Sequence, residues 1–111
     1  MLNNIKMNVI ETSKNGIVDK ETIFHFEQDA NTVKANYSGG RIREGYLVGQ
    51  LNGEVLKFTY CQQRLTGELD HGESECILSV EKDTGKVKLE ENFNMNTEQL
   101  KETGTNIFIE L

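Results

Sequence analysis

The sequence predicts an all-β protein: a single domain over residues 1–111, folded as an antiparallel up-and-down barrel of about eight strands. Three observations carry this. Apolar and polar residues alternate with the strand period through most of the chain. Turn-forming Asn, Asp and Gly residues separate the alternating runs at hairpin spacing. The one segment of helical composition, residues 97–102, is short and polar, and reads as a long loop with room for one helical turn.

The runs follow in order. Ile5, Met7 and Val9 alternate with Lys6 and Asn8. Phe24 and Phe26 flank His25, which therefore points outward. Asn15-Gly16 lies between these runs as a type I′ hairpin signal, a turn that requires φ > 0. Val33, Ala35 and Tyr37 form the third run, ended by Ser38-Gly39-Gly40. Gly45, Leu47 and Gly49 line one face of the fourth, with Ile42, Tyr46 and Val48 sharing the outer face. Asn52-Gly53 is the second type I′ signal. Leu56, Phe58 and Tyr60 make the fifth run and Thr66-Gly67 the next turn. Cys76, Leu78 and Val80 precede the turn at Asp83-Thr84-Gly85, and Val87, Leu89 and Phe93 follow it. Gly104 opens the last run, carried by Ile107 and Ile109. Consecutive short hairpins favour a barrel over a sandwich, which needs crossovers, and closure hides every sheet edge.

Turn positions imply registers. A loop at Asn52-Gly53 pairs Leu51 with Glu54, Leu47 with Phe58 and Gly45 with Tyr60. A loop over Thr66-Gly67-Glu68 pairs Phe58 with Cys76 and Tyr60 with Ser74. A loop centred on Asp83-Thr84 pairs Val80 with Val87, Leu78 with Leu89 and Cys76 with Glu91. The inner face then has an apolar end, filled by Leu47, Leu56, Leu78, Val80, Val87 and Leu89. Its polar end collects Tyr60, Gln62, Ser74 and Glu91, with Gly45 and Gly49 leaving room beside them. Tyr37 and Arg43 join if the turn at Gly39-Gly40 is three residues long, and Arg43 is then a partner for Glu91. Half-open barrel mouths of this kind hold small ligands, so Tyr37, Arg43, Gly45, Tyr60, Gln62, Ser74 and Glu91 are the candidate ligand-binding residues.

Other functions are disfavoured. A net charge of −6 and scattered Lys and Arg argue against nucleic acid and anionic membranes. No apolar run approaches the roughly 20 residues of a membrane span, and Met1–Lys6 does not read as a signal peptide, so the expected compartment is the cytoplasm. Cys61 and Cys76 fall on opposite faces and are expected as free thiols. With His25 and His71 they show no metal-ligand spacing, and neither metal nor cofactor is expected. The nearest approach to a nucleophile and base is Ser74 with Glu91, which leaves an enzyme as the least favoured reading.

Several stretches together resemble a known family: residues 21–26, the turn Tyr37-Ser38-Gly39-Gly40, Gly45-x-Leu47-x-Gly49, Phe58-x-Tyr60, Gly67-Glu68-Leu69, residues 85–89 and Glu91. The chain resembles small bacterial proteins often labelled N-acetylglutamate synthase, whose domain is described as avidin-like. The resemblance spans roughly residues 14–111 and implies a closed barrel of the avidin and lipocalin kind, with no established activity. The enzymatic label asks for a pyrophosphate loop before a helix. The nearest match, Arg64-Leu65-Thr66-Gly67-Glu68-Leu69, reads as a hairpin. The family usually has tryptophan near Phe93 and Met95 and cysteine where Ser74 stands. Avidins hold biotin with inner tryptophans, so the resemblance does not carry biotin binding to a chain that has no tryptophan. The leading expectation is a non-enzymatic module for a small, partly polar ligand. The alternative is a structural or interaction domain acting through its outer surface as a homo-oligomer.

Overall fold

The computed structural model describes residues 1–97 and 99–111. Eight strands follow one another: β1 (Ile5–Thr12), β2 (Ile23–Asp29), β3 (Thr32–Gly39), β4 (Ile42–Asn52), β5 (Val55–Arg64), β6 (Leu69–Val80), β7 (Val87–Asn96) and β8 (Lys101–Glu110). Each pairs antiparallel with its neighbour in sequence, and β1 pairs with β8 to close the barrel. Closure gives every strand two partners and leaves no open edge. The alternation becomes a filled interior, where Phe26, Phe108, Met7, Leu56 and Leu89 are almost wholly removed from solvent.

The β6–β7 register is the expected one, with Val80 opposite Val87, Leu78 opposite Leu89 and Cys76 opposite Glu91. Two other hairpins slip by two residues. Leu51 faces Leu56, Leu47 faces Tyr60 and Gly45 faces Gln62, because the loop closes at Asn52 and Val55 with Gly53 at φ 60°. Across β5 and β6, Phe58 faces Ser74 and Tyr60 faces Gly72. A slip of two residues preserves the pleat, so the inner and outer faces survive. Cys61 is exposed, Cys76 is buried, and both are free. His25 and His71 are exposed.

Other expectations are corrected. Asn15-Gly16 is not a tight hairpin. Beyond Met7, β1 leaves β2 and pairs with β8, and the ten residues 13–22 form a loop. A bulge in β4 between Ile42 and Glu44 changes which side chains face in. Ile42 is buried instead of sharing the outer face with Tyr46 and Val48. Val80 lies at a strand end and is 47% exposed, so it is not part of the apolar filling. Strand β8 begins at Lys101, so Lys101 and Glu102 are strand residues and Gly104 lies inside the strand. Thr97 and Leu100 close a turn, and Glu98 lies outside the described residues. Ile107 and Ile109 are half-buried, whereas Asn106 and Phe108 are buried.

The two barrel ends are closed differently. At the end carrying the β2–β3, β4–β5 and β6–β7 turns, the N-terminal segment folds in. Leu2 is completely buried, and its amide donates to Gln28 Oε1 at 2.9 Å. At the opposite end, residues 13–22 cross the mouth and bury Ile17 and Val18.

Candidate functional site at the polar end of the barrel

Beneath Ile17 and Val18 lies a cavity of about 30 Å³, enough for a water or two. Its wall includes Phe24, Tyr37, Tyr60, Gln62, Glu91 and Asn106. Two hydrogen-bonded groups meet there. In the first, Ser74 Oγ donates to Glu91 Oε2 at 2.6 Å, and Asn106 Nδ2 donates to Glu91 Oε1 at 2.8 Å. Ser74, Glu91 and Asn106 come from β6, β7 and β8, and all three are buried. In the second, Tyr37 OH donates to Gln62 Oε1 at 2.9 Å, and Gln62 Nε2 donates to Asp70 Oδ2 at 2.9 Å. Arg64 completes that group with two bonds to Asp70, each 3.0 Å, and an ion pair to Glu68 at 3.5 Å.

The electrostatics follow from burial. Loss of water pushes the Glu91 carboxyl upward, and the bonds from Ser74 and Asn106 pull only part of the way back. Burial also raises the Tyr37 and Tyr60 phenols and the Cys76 thiol, so these groups stay neutral across the physiological range. The Arg64 guanidinium is raised too, but there its bond to Asp70 is the cause and favours the charged form. The Asn106 Oδ1 atom is buried with no hydrogen-bond partner among the described residues.

The structure brings together five of the seven candidate residues: Tyr37, Tyr60, Gln62, Ser74 and Glu91. Arg43 is exposed, because the bulge at Ile42–Glu44 turns it out, and it is no partner for Glu91. Gly45 is buried, but it leaves no room for a ligand. A Cβ there would run into the Tyr37 ring, so the missing side chain seats an aromatic ring of the protein itself. Gly49 is likewise covered by Phe58. Sequence reasoning missed Asp70, Arg64 and Asn106. Asp70 had a signal, since the correct hairpin register sets it directly opposite Gln62.

The loop over the mouth is tied at several points. Arg41 Nη2 donates to Gly16 O at 2.6 Å and Asn15 Nδ2 to Thr103 O at 2.9 Å. Thr22 Oγ1 donates to Gly39 O at 3.1 Å. The bonds of Arg41 and Asn15 are single side chain–backbone links, which makes this closure lighter than a strand pairing.

A family model described as "Avidin-like protein" matches residues 1–111. No curated protein and no solved structure matches.

Proposed function

The chain belongs to the avidin-like protein family, and from that premise we propose that it is a non-enzymatic module binding a small, partly polar ligand under the loop 13–22. The observation that carries this reading is the buried polar wall of the cavity. Glu91, Ser74, Asn106, Gln62 and Tyr37 sit in a barrel interior that apolar side chains would fill more stably. The existing space is small, so a ligand larger than a water needs the loop to lift and withdraw Ile17 and Val18. Ser74 and Glu91 do form a short hydrogen bond, yet both are fixed in a network with Asn106. The residues resembling a pyrophosphate loop lie in the β5–β6 hairpin, where Arg64 is engaged by Asp70 and Glu68. Both points support binding over acyl transfer.

The test is non-denaturing mass spectrometry of protein purified without refolding. A mass excess that disappears on denaturation is expected. A bare-chain mass, with a melting temperature unmoved by a panel of small metabolites, removes the reading.

A second reading, association of copies through the outer sheet, is favoured by Tyr46 and Val48, which are 51% and 54% exposed on β4. Sedimentation as a strict monomer removes it.

A further inference from the structure

We propose that the ligand of this site is a small organic ammonium ion, held by Glu91 and Asn106 among the aromatic rings of the cavity wall. The inference rests on reading this barrel end as a ligand site, and it names the ligand's chemistry.

The wall has one carboxyl and no basic side chain among the described residues. Among the described residues that line the cavity, Glu91 is the only Asp, Glu, Lys, Arg or His. An anionic ligand would therefore meet a carboxyl with no cation to offset it. Most of the hydrogen-bonding capacity still free on the wall is acceptor capacity, beside the Tyr60 hydroxyl and the second Nδ2 hydrogen of Asn106 as donors among the described residues. Gln62 already accepts from Tyr37 and donates to Asp70. Asn106 Nδ2 is engaged by Glu91, while Asn106 Oδ1 is buried and unpartnered among the described residues. As a carboxylate, Glu91 accepts one bond at each oxygen and can accept another at each. An ammonium group offers donors only, which fits such a wall. Phe24, Phe58, Phe93 and Phe108 supply the rest, since ring faces attract a desolvated cation. The net charge of −6 attracts cations from solution.

The proton balance follows from the burial of Glu91. The groups facing it are Ser74 and Cys76 from β6, Asn106 from β8, Tyr37 from β3 and Tyr60 from β5. None of them is a cation, so no neighbouring charge offsets the burial that raises this carboxyl. An arriving ammonium favours the carboxylate. Where the acid is protonated beforehand, its proton passes to solvent and an ammonium–carboxylate pair remains.

Calorimetry tests this with propylammonium and benzylammonium chloride, against 1-propanol, benzyl alcohol, propionate and benzoate. Two buffers of different ionisation enthalpy report proton release. The ammonium ions are expected to bind, with a buffer-dependent part to the heat at any pH where the acid is protonated beforehand, and the alcohols and carboxylates to give no binding heat. Glu91→Gln should weaken ammonium binding roughly 10- to 100-fold. Its unliganded melting temperature at neutral pH should be no lower than that of the parent, which reports that it folds. Silence from both ammonium ions overturns the proposal. So does equal binding of the alcohols or carboxylates, retained affinity in Glu91→Gln, or a co-purified molecule without a cationic nitrogen. A co-purified neutral molecule removes this inference and leaves the ligand site standing. A bare chain that ignores every probe removes both.

Discussion

The two ends of this barrel are built from the same alternating strands and closed by opposite means. One end is sealed by the chain's own N-terminus, with Leu2 driven wholly into the apolar interior. The other is roofed by residues 13–22 and holds a buried carboxyl, an ion pair whose acid is buried, and an amide oxygen unpartnered among the described residues. Apolar packing lowers the free energy of the first end at every contact. At the second, each polar group must first be stripped of water, and its bonds repay that loss only in part. An end that gives up stability in this way is where a ligand gains most, because it satisfies groups that the empty protein leaves wanting.

The largest expected effect comes from breaking the polar end at its anchor. Asp70 is 1% exposed and takes bonds from Arg64 and Gln62. Asp70→Ala strands both donors and should destabilise the fold by about 3 kcal/mol in urea unfolding. That lies at the low end for a broken buried pair, because Arg64 keeps some contact with water. At the apolar end, Leu2→Ala should cost about 2 kcal/mol in the same assay. The terminal segment can partly collapse around the lost volume, which limits the loss. A Leu2→Ala variant less stable than Asp70→Ala would reverse the order and make the N-terminal plug the stronger closure.

The sequence made these ends legible to different degrees. Alternation fixed which face each residue of β5, β6 and β7 takes, since a register slip of two residues leaves the pleat unchanged. The β6–β7 pairing and the Ser74–Glu91 contact were readable for that reason. The β4 bulge was not, because one extra residue has no mark in the apolar pattern. It put Ile42 on the inner face in place of Arg43. In β8, Ile107 and Ile109 suggested the wrong face, because the inner set mixes Gly104 and Asn106 with Phe108. The Phe93 ring packs where Gly104 has no side chain. Residues 13–22 looked like a hairpin because Asn-Gly favours a tight turn locally. Their course is set by distant partners, Arg41 and Thr103.

The roof itself gives a smaller effect. Arg41→Ala removes the bond to Gly16 O and should lower stability by about 1 kcal/mol. The sharper readout is hydrogen exchange. Protection should fall across residues 13–22 and stay unchanged at Leu2 and in the β6–β7 ladder. Uniform loss of protection would mean that the loop is part of the global fold and not a separable closure.

The final contrast is one of pH, and it begins near zero. Burial raises the Glu91 carboxyl in the folded protein above its value in the unfolded chain. Between those two values the folded state binds more protons, so its stability falls as pH rises. The contribution is intact below the unfolded value, about 4.3 for a free Glu. It is lost progressively as pH climbs through the raised value. Glu91→Gln has no proton to lose and keeps the size and hydrogen-bonding reach of the acid. Its stability relative to the parent should therefore be near zero around pH 4 and grow in the variant's favour toward neutrality, by urea unfolding at each pH. Leu2→Ala should show no such trend, because no titrating group is exchanged at the apolar end. A pH-independent difference for Glu91→Gln would mean that the carboxyl is as well solvated as a surface acid, and the polar end would lose the cost that sets it apart.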